Sequence, residues 1–155
     1  NSHVLLMRTL SKFGLAGARL GYMLAPTILL NEVDKLRPPY NVSVLNAECA
    51  LFALEHADVF AAQAQTICEQ RAALTQALQA MKGVTPFPSD ANMMLARFDG
   101  GPDTATRIFE SLKAQKVLVK NVSKMHPLLT NCLRLTIGTP QENQQLLAAL
   151  AVALK

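Results

Sequence analysis

Arg8-Thr9-Leu10-Ser11-Lys12-Phe13-Gly14-Leu15-Ala16-Gly17-Ala18-Arg19-Leu20-Gly21-Tyr22 is the stretch from which the rest of the chain can be read. Before it, Val4-Leu5-Leu6-Met7 is continuously apolar, the mark of a strand buried on both faces in a parallel or mixed sheet. At its far end, Arg19 to Ala25 reads as a second strand. Lys12 therefore stands at the end of a buried strand, in a turn of small residues, with Arg19 seven positions further on. Thr9 and Ser11 flank the lysine with hydroxyls, and Gly14 and Gly17 allow a backbone to come close to a ligand. Hydroxyl, guanidinium and free backbone N–H groups together are what a phosphate dianion needs. A lysine beside such a phosphate, in a desolvated pocket, can lose its proton and act as an amine nucleophile. The combination suits capture of a phosphorylated aldehyde. A solvated lysine in an ordinary glycine turn is the plainer alternative, since short motifs recur by chance.

The composition of the 155 residues is that of a soluble globular chain, half apolar and 17% charged. The net charge of +4 comes from 15 scattered basic residues with only 5% aromatics, which argues against nucleic acid and fits small anionic ligands. The three cysteines, Cys49, Cys68 and Cys132, follow no CxxC or Cys/His spacing. They predict reduced, buried thiols and no metal site. No apolar run approaches the ~18 residues of a membrane span, and a cytoplasmic location is expected. The chain opens on Asn1-Ser2-His3 and runs straight into a strand, which predicts a start in the middle of a longer protein.

Pro26 starts a short helix whose stripe is Ile28, Leu29, Val33 and Leu36, ending before Pro38-Pro39. Ser43 is an N-cap for a long helical stretch to about Gly83, with a break at His56-Ala57-Asp58 where Asp58 recaps the second half. Beyond it lie a strand at Met93 to Phe98, a helix from Pro102 to Gln115, and strands at Val117–Val119 and Leu133–Ile137. Thr139, Pro140 and Glu142 write a capping box for the last helix, with Leu146, Leu147, Leu150 and Leu154 as its buried stripe. The fold class is α/β with a small α+β layer of βαββα order. Three segments follow: residues 1–42, a linking helix over 43–83, and a small domain over 84–155. His3, His56 and His126 are widely spaced and read as packing or surface, Met93-Met94 as sheet core, and Asn92 as a turn residue.

The run Ser11, Lys12, Gly14, Leu15, Ala16, Gly17, Arg19, Gly21, Tyr22 resembles the signature of fold-type I aminotransferases of classes I and II, which depend on pyridoxal 5′-phosphate. Within them it is most similar to the histidinol-phosphate aminotransferases. The resemblance continues through Leu36-Arg37-Pro38-Pro39-Tyr40-Asn41-Val42 and through Cys132-Leu133-Arg134-Leu135-Thr136-Ile137-Gly138-Thr139, in the family's order and spacing. It implies a Schiff-base lysine at Lys12, a cofactor phosphate held by Ser11 and Arg19, and a substrate anion gripped by Arg134. It implies transamination of histidinol phosphate with 2-oxoglutarate in histidine biosynthesis, by a cytoplasmic homodimer. It also implies that residues 1–42 are a remnant of the larger cofactor-binding domain, and that 155 residues alone lack the groups that complete the site. One position departs: where the family often has an arginine after Val-Leu-Val, this chain has Lys120, which keeps the charge and loses the fork. Asn92 falls in a segment that lies near substrate in the family. Other readings remain open at this point: an aromatic or general amino-acid aminotransferase, a threonine-phosphate decarboxylase, or a non-catalytic α+β binding or dimerisation module.

Overall fold

The computed structural model describes residues 3–155 and falls into two compact units, Asn1–Ala64 and Gln65–Lys155. In the first unit, β1 (Leu6–Thr9) and β2 (Gly21–Leu24) form an antiparallel ribbon with Leu6 opposite Leu24 and Thr9 opposite Gly21. The two-face burial expected of Val4–Met7 does not hold here. No third strand joins the ribbon among the described residues, and Met7 is 72% exposed. The strands approach closely at Gly21, where a Cβ would stand 2.8 Å from the Arg8 carbonyl oxygen.

Helix α1 (Thr27–Asp34) starts after Pro26, whose carbonyl accepts from the amides of Leu29 and Leu30. Helix α2 (Val44–Glu55) is capped by Ser43, whose hydroxyl accepts from the Asn46 amide at 3.2 Å. The long helical stretch does break at His56, which leaves helical geometry (φ −109°, ψ 35°). Helix α3 (Ala57–Gln79) follows at once. Asp58 is not its cap: it is the second helical residue, where its carboxylate still faces the positive end of the helix dipole.

The second unit is built on a four-stranded antiparallel sheet in the order β3-β4-β6-β5, made of β3 (Val84–Pro86), β4 (Met93–Phe98), β5 (Lys120–Asn121) and β6 (Cys132–Thr136). Helices α4 (Thr104–Ala114) and α5 (Pro140–Ala153) complete it. Met94, Ala96, Phe98, Leu133 and Leu135 share one face and are at most 2% exposed. They form one core with Leu74 and Leu78 of α3, Ile108 and Leu112 of α4, and Leu146 and Leu150 of α5. The period-2 alternation of β4 and β6 puts their other residues on the opposite face.

Three expectations change. The order of elements is ββαββα, because β3 forms an edge strand ending at Pro86, a residue that cannot donate to a ladder and so reads as loop. Val117–Val119 is not laddered. The Val117 amide is used to close the end of α4 on the Leu112 carbonyl at 2.9 Å, after Lys116 turns through φ +63°, and the chain joins the sheet only at Lys120. Met94 is sheet core as read, whereas Met93 lies half-buried on the other face. The cysteines also split: Cys132 is buried, but Cys49 and Cys68 are exposed on α2 and α3. Among the described residues, no helix is long and apolar enough to cross a membrane.

Candidate active site

Two groups of residues carry chemistry, one in each unit. In the first, the chain leaves β1 at Thr9 and turns through a 3₁₀ turn, Leu10–Phe13, closed by Gly14 at φ +103°. A second 3₁₀ turn, Ala16–Ala18, is closed by Arg19 in the left-handed conformation, φ 50°. Backbone bonds hold the loop: Leu10 N–H to the Leu20 carbonyl at 3.0 Å and Leu15 N–H to the Leu10 carbonyl at 3.1 Å. Beneath it, the Phe13 ring stacks on Phe60 of α3 with centroids 4.7 Å apart, and a Cβ on Gly14 would press that ring at 3.3 Å. Glycine at position 14 is thus required by conformation and by packing together. A Cβ on Gly17, by contrast, would meet nothing within 4 Å, so the backbone there faces open space.

The hydroxyls of Thr9 and Ser11 are joined. Thr9 Oγ1 lies 2.9 Å from Ser11 Oγ, accepts from the Ser11 amide at 3.1 Å, and lies 3.3 Å from the Leu20 carbonyl. Lys12 is exposed beside a concavity lined also by Met7, Arg8 and Thr9. Among the described residues, neither the Lys12 nor the Arg19 side chain enters a hydrogen bond or ion pair. Ser11, Lys12 and Arg19 therefore lie in one loop, with amine and guanidinium uncommitted. Two hydroxyls, an open glycine backbone and two free cations fit a phosphorylated aldehyde: the anion finds donors and the aldehyde finds an amine.

In the second unit, Arg134 sits at the middle of β6, on the face away from the core. The register sets it opposite Leu95 of β4 and opposite Lys120 of β5. Residues directly opposite on antiparallel strands share a face with Cβ atoms about 4.5–5.5 Å apart. Both cations are exposed, and neither is paired with any described residue. Thr136 follows on the same face.

The strand carrying Arg134 is held at both ends by buried asparagines that sequence reading passed over. Asn131, 6% exposed and at φ 56°, accepts from the Ala105 amide at 3.3 Å and donates to the Gly101 carbonyl at 2.8 Å. It thereby caps α4 from outside. Asn143, 5% exposed, clamps Gly138 by accepting from its amide at 3.0 Å and donating to its carbonyl at 3.1 Å. Asn143 follows Glu142 of the capping box, and a polar residue at a core-facing helix position was the available signal. The three histidines are exposed. Asn92 is a turn residue whose carbonyl accepts from the Ile137 amide at 3.0 Å.

The family described as aminotransferase class I and II matches residues 1–150. The histidinol-phosphate aminotransferase of Polaromonas naphthalenivorans is 67% identical over 154 residues, which cover 99% of this chain and 41% of that protein. Among solved structures, the histidinol-phosphate aminotransferase of Sinorhizobium meliloti in complex with pyridoxal-5′-phosphate superposes with a TM-score of 0.82 at 26% identity, over 99% of this chain and 41% of that one. The L-threonine-O-3-phosphate decarboxylase of Porphyromonas gingivalis gives a TM-score of 0.85 at 25% identity, over 99% of this chain and 47% of that one. The chain spans about two fifths (41%) of the length of the curated relatives it matches.

Proposed function

This chain belongs to the class I and II aminotransferases, and we propose that the protein it forms moves the amino group of histidinol phosphate to 2-oxoglutarate, using pyridoxal 5′-phosphate. The observation that carries the substrate is the pair of unpartnered cations Lys120 and Arg134, set opposite each other on one sheet face. Two adjacent cations suit a dianionic phosphate better than a single carboxylate. The 67% identity to a histidinol-phosphate aminotransferase, against 25% to the threonine-phosphate decarboxylase, favours the first among phosphate-bearing substrates.

In this reading Ser11 and Arg19 bind the cofactor phosphate, Ser11 as a hydroxyl donor and Arg19 as a charged fork. Bound there, the cofactor supplies an aldehyde that captures amines and a ring that draws electrons from the bond to be broken. Lys12 Nζ attaches the cofactor and later holds the proton that moves to and from the substrate Cα. Arg134 offers a bidentate grip on the substrate phosphate, and Lys120 adds a second positive charge without fork geometry. Residues 1–42 belong to a larger cofactor-binding domain and 84–155 to a small domain, with a linking helical segment over 43–83. The exposed apolar residues of the first unit, Leu36 at 84% and Tyr40 at 99% among them, support a surface covered by further protein, including a second copy in a homodimer.

The test is a substrate comparison with the intact protein carrying this sequence. Turnover of histidinol phosphate with 2-oxoglutarate should exceed that of phenylalanine, and threonine phosphate should release no carbon dioxide. Equal rates with phenylalanine would move the reading to an aromatic aminotransferase, and absence of any pyridoxal-phosphate absorbance would move it to a binding module.

A further inference from the structure

The sheet face that carries Arg134 holds more than cations. Because β4 alternates, Met93, Leu95 and Arg97 stand on this face while Met94, Ala96 and Phe98 enter the core. Phe87 joins the first group: its amide donates to the Leu95 carbonyl at 2.9 Å and extends the β3–β4 pairing by one residue. Arg97 is already committed. It donates to the Leu128 carbonyl at 2.6 Å and lies over the Phe87 ring, 5.3 Å from its centroid. Arg134 and Lys120 keep their donors free among the described residues.

The face is therefore divided strand by strand. Free cations stand on β5 and β6, and half-buried apolar side chains stand on β4. Leu95 is directly opposite Arg134, and Met93 is opposite Thr136. One strand spacing, about 4.8 Å, separates the two zones. A protein surface laid over this face would strip water from two unpaired cations, a large desolvation cost. A small anion with an apolar part answers both zones at once.

We propose that Leu95 and Met93 form the subsite for the ring of the substrate, and that Leu95 sets the preference for a phosphate that bears a ring. With its phosphate on Arg134 and Lys120, histidinol phosphate has a three-carbon chain with which to cross the one-strand step. Its imidazole then rests on Leu95 and Met93, the thioether adapting to the flat ring, while the ring nitrogens stay toward water. Glutamate and 2-oxoglutarate have the anion without the ring, so they use the cationic zone and leave the apolar one. One face thus serves both substrates, and its apolar zone is felt by only one of them. The inference rests on the reading that Arg134 and Lys120 hold the substrate phosphate.

The experiment compares three amino donors on the intact protein loaded with pyridoxal 5′-phosphate. They are histidinol phosphate, 2-aminopropyl phosphate (the same molecule without its ring) and glutamate. Leu95→Ala should raise KM for histidinol phosphate roughly fivefold, the worth of about one buried methylene group. It should move KM for the other two donors by less than about twofold, since they have no ring to lose. Leu95→Met keeps the volume and should bring KM for histidinol phosphate back to within about twofold of wild type. Met93→Ala should show the same split between donors as Leu95→Ala. A parallel rise for both phosphorylated donors would overturn the proposal, because Leu95 would then act on the arginine and not on the ring. An unchanged KM for histidinol phosphate in both alanine variants would overturn it as well. If Arg134→Ala leaves KM for both phosphorylated donors unaltered, the anion grip itself fails, and the subsite falls with it.

Discussion

Lys120 and Arg134 stand directly opposite each other on β5 and β6, two cations on the exposed side of the sheet with no carboxylate between them. Like charges in that relationship repel by about 0.2–1 kcal/mol. Lys120→Thr should therefore stabilise the ligand-free protein by about 0.5 kcal/mol in low salt. The gain should fade as ionic strength shortens the reach of the repulsion. Urea denaturation at two salt concentrations measures it, and a loss of stability in low salt would rule out repulsion at this pair.

The same substitution should weaken substrate binding, and removal of the arginine should do so more. Arg134→Ala is expected to lower kcat/KM for the phosphorylated substrate by roughly 30-fold to several thousand-fold, the cost of about 2–5 kcal/mol for a lost desolvated contact. Cofactor absorbance should not change. An unaltered kcat/KM would falsify the role of Arg134.

Lys12 should be the residue that carries the cofactor. Borohydride reduction of the intact protein, followed by peptide mapping, is expected to place a pyridoxyl label on Lys12 within Leu10–Arg19. A label on Lys35 or Lys120 would show that the loop does not serve the amine chemistry.

Asn131 combines a left-handed backbone with a side chain that serves the Ala105 amide and the Gly101 carbonyl. Asn131→Ala leaves the buried Ala105 amide without its partner, while the exposed Gly101 carbonyl keeps the Thr104 amide at 3.1 Å, and should cost about 1–3 kcal/mol. Asn131→Gly relieves the conformation but restores neither bond, so it should be less damaging than alanine and still destabilising. Chemical denaturation of the three proteins orders them.

The N-terminus of α5 supplies a pH test. Thr139 accepts from the Glu142 amide at 3.3 Å, and the Glu142 carboxylate accepts from the Thr139 amide at 2.8 Å. The bond from the Thr139 backbone, then that from its hydroxyl, hold the Glu142 carboxyl below its usual range. A lowered acid favours the folded state while it is ionised. Its contribution is complete above the ordinary carboxylate range and disappears as pH falls through the lowered folded value. The stability gap between wild type and Glu142→Gln should thus be open at pH 7 and close on acidification. Thr139→Ala, which removes the cap itself, should cost about 0.5–2 kcal/mol.

Elements written by local chemistry were legible in the sequence. The capping box at Thr139, the Ser43 cap, the break at His56 and the alternation of Met93–Phe98 are all decided within a few residues. What was illegible depends on partners far along the chain. Nothing near Val117 says that its amide will close α4 rather than extend a strand. Nothing near Phe13 names Phe60 as the ring beneath it. The site divides in the same way. Ser11, Lys12 and Arg19 were visible because one loop carries them all. The pairing of Lys120 with Arg134 needed a register that only the folded sheet fixes.

The alternation along β6 also bears on how this protein can change. Cys132, Leu133 and Leu135 are held in the interior, while Arg134 and Thr136 point outward between and beyond them. Under the function proposed above, substrate preference and foldability are therefore written on interleaved letters of one short word. Randomising positions 120, 134 and 136 should yield libraries rich in folded members with altered anion preference, because none of the three contributes to the core. A single-residue insertion between Leu133 and Arg134 would do the opposite. It would exchange the roles of every following letter, turning the arginine inward and the leucine out. Diversification of this strand is open to substitution and closed to changes in its length.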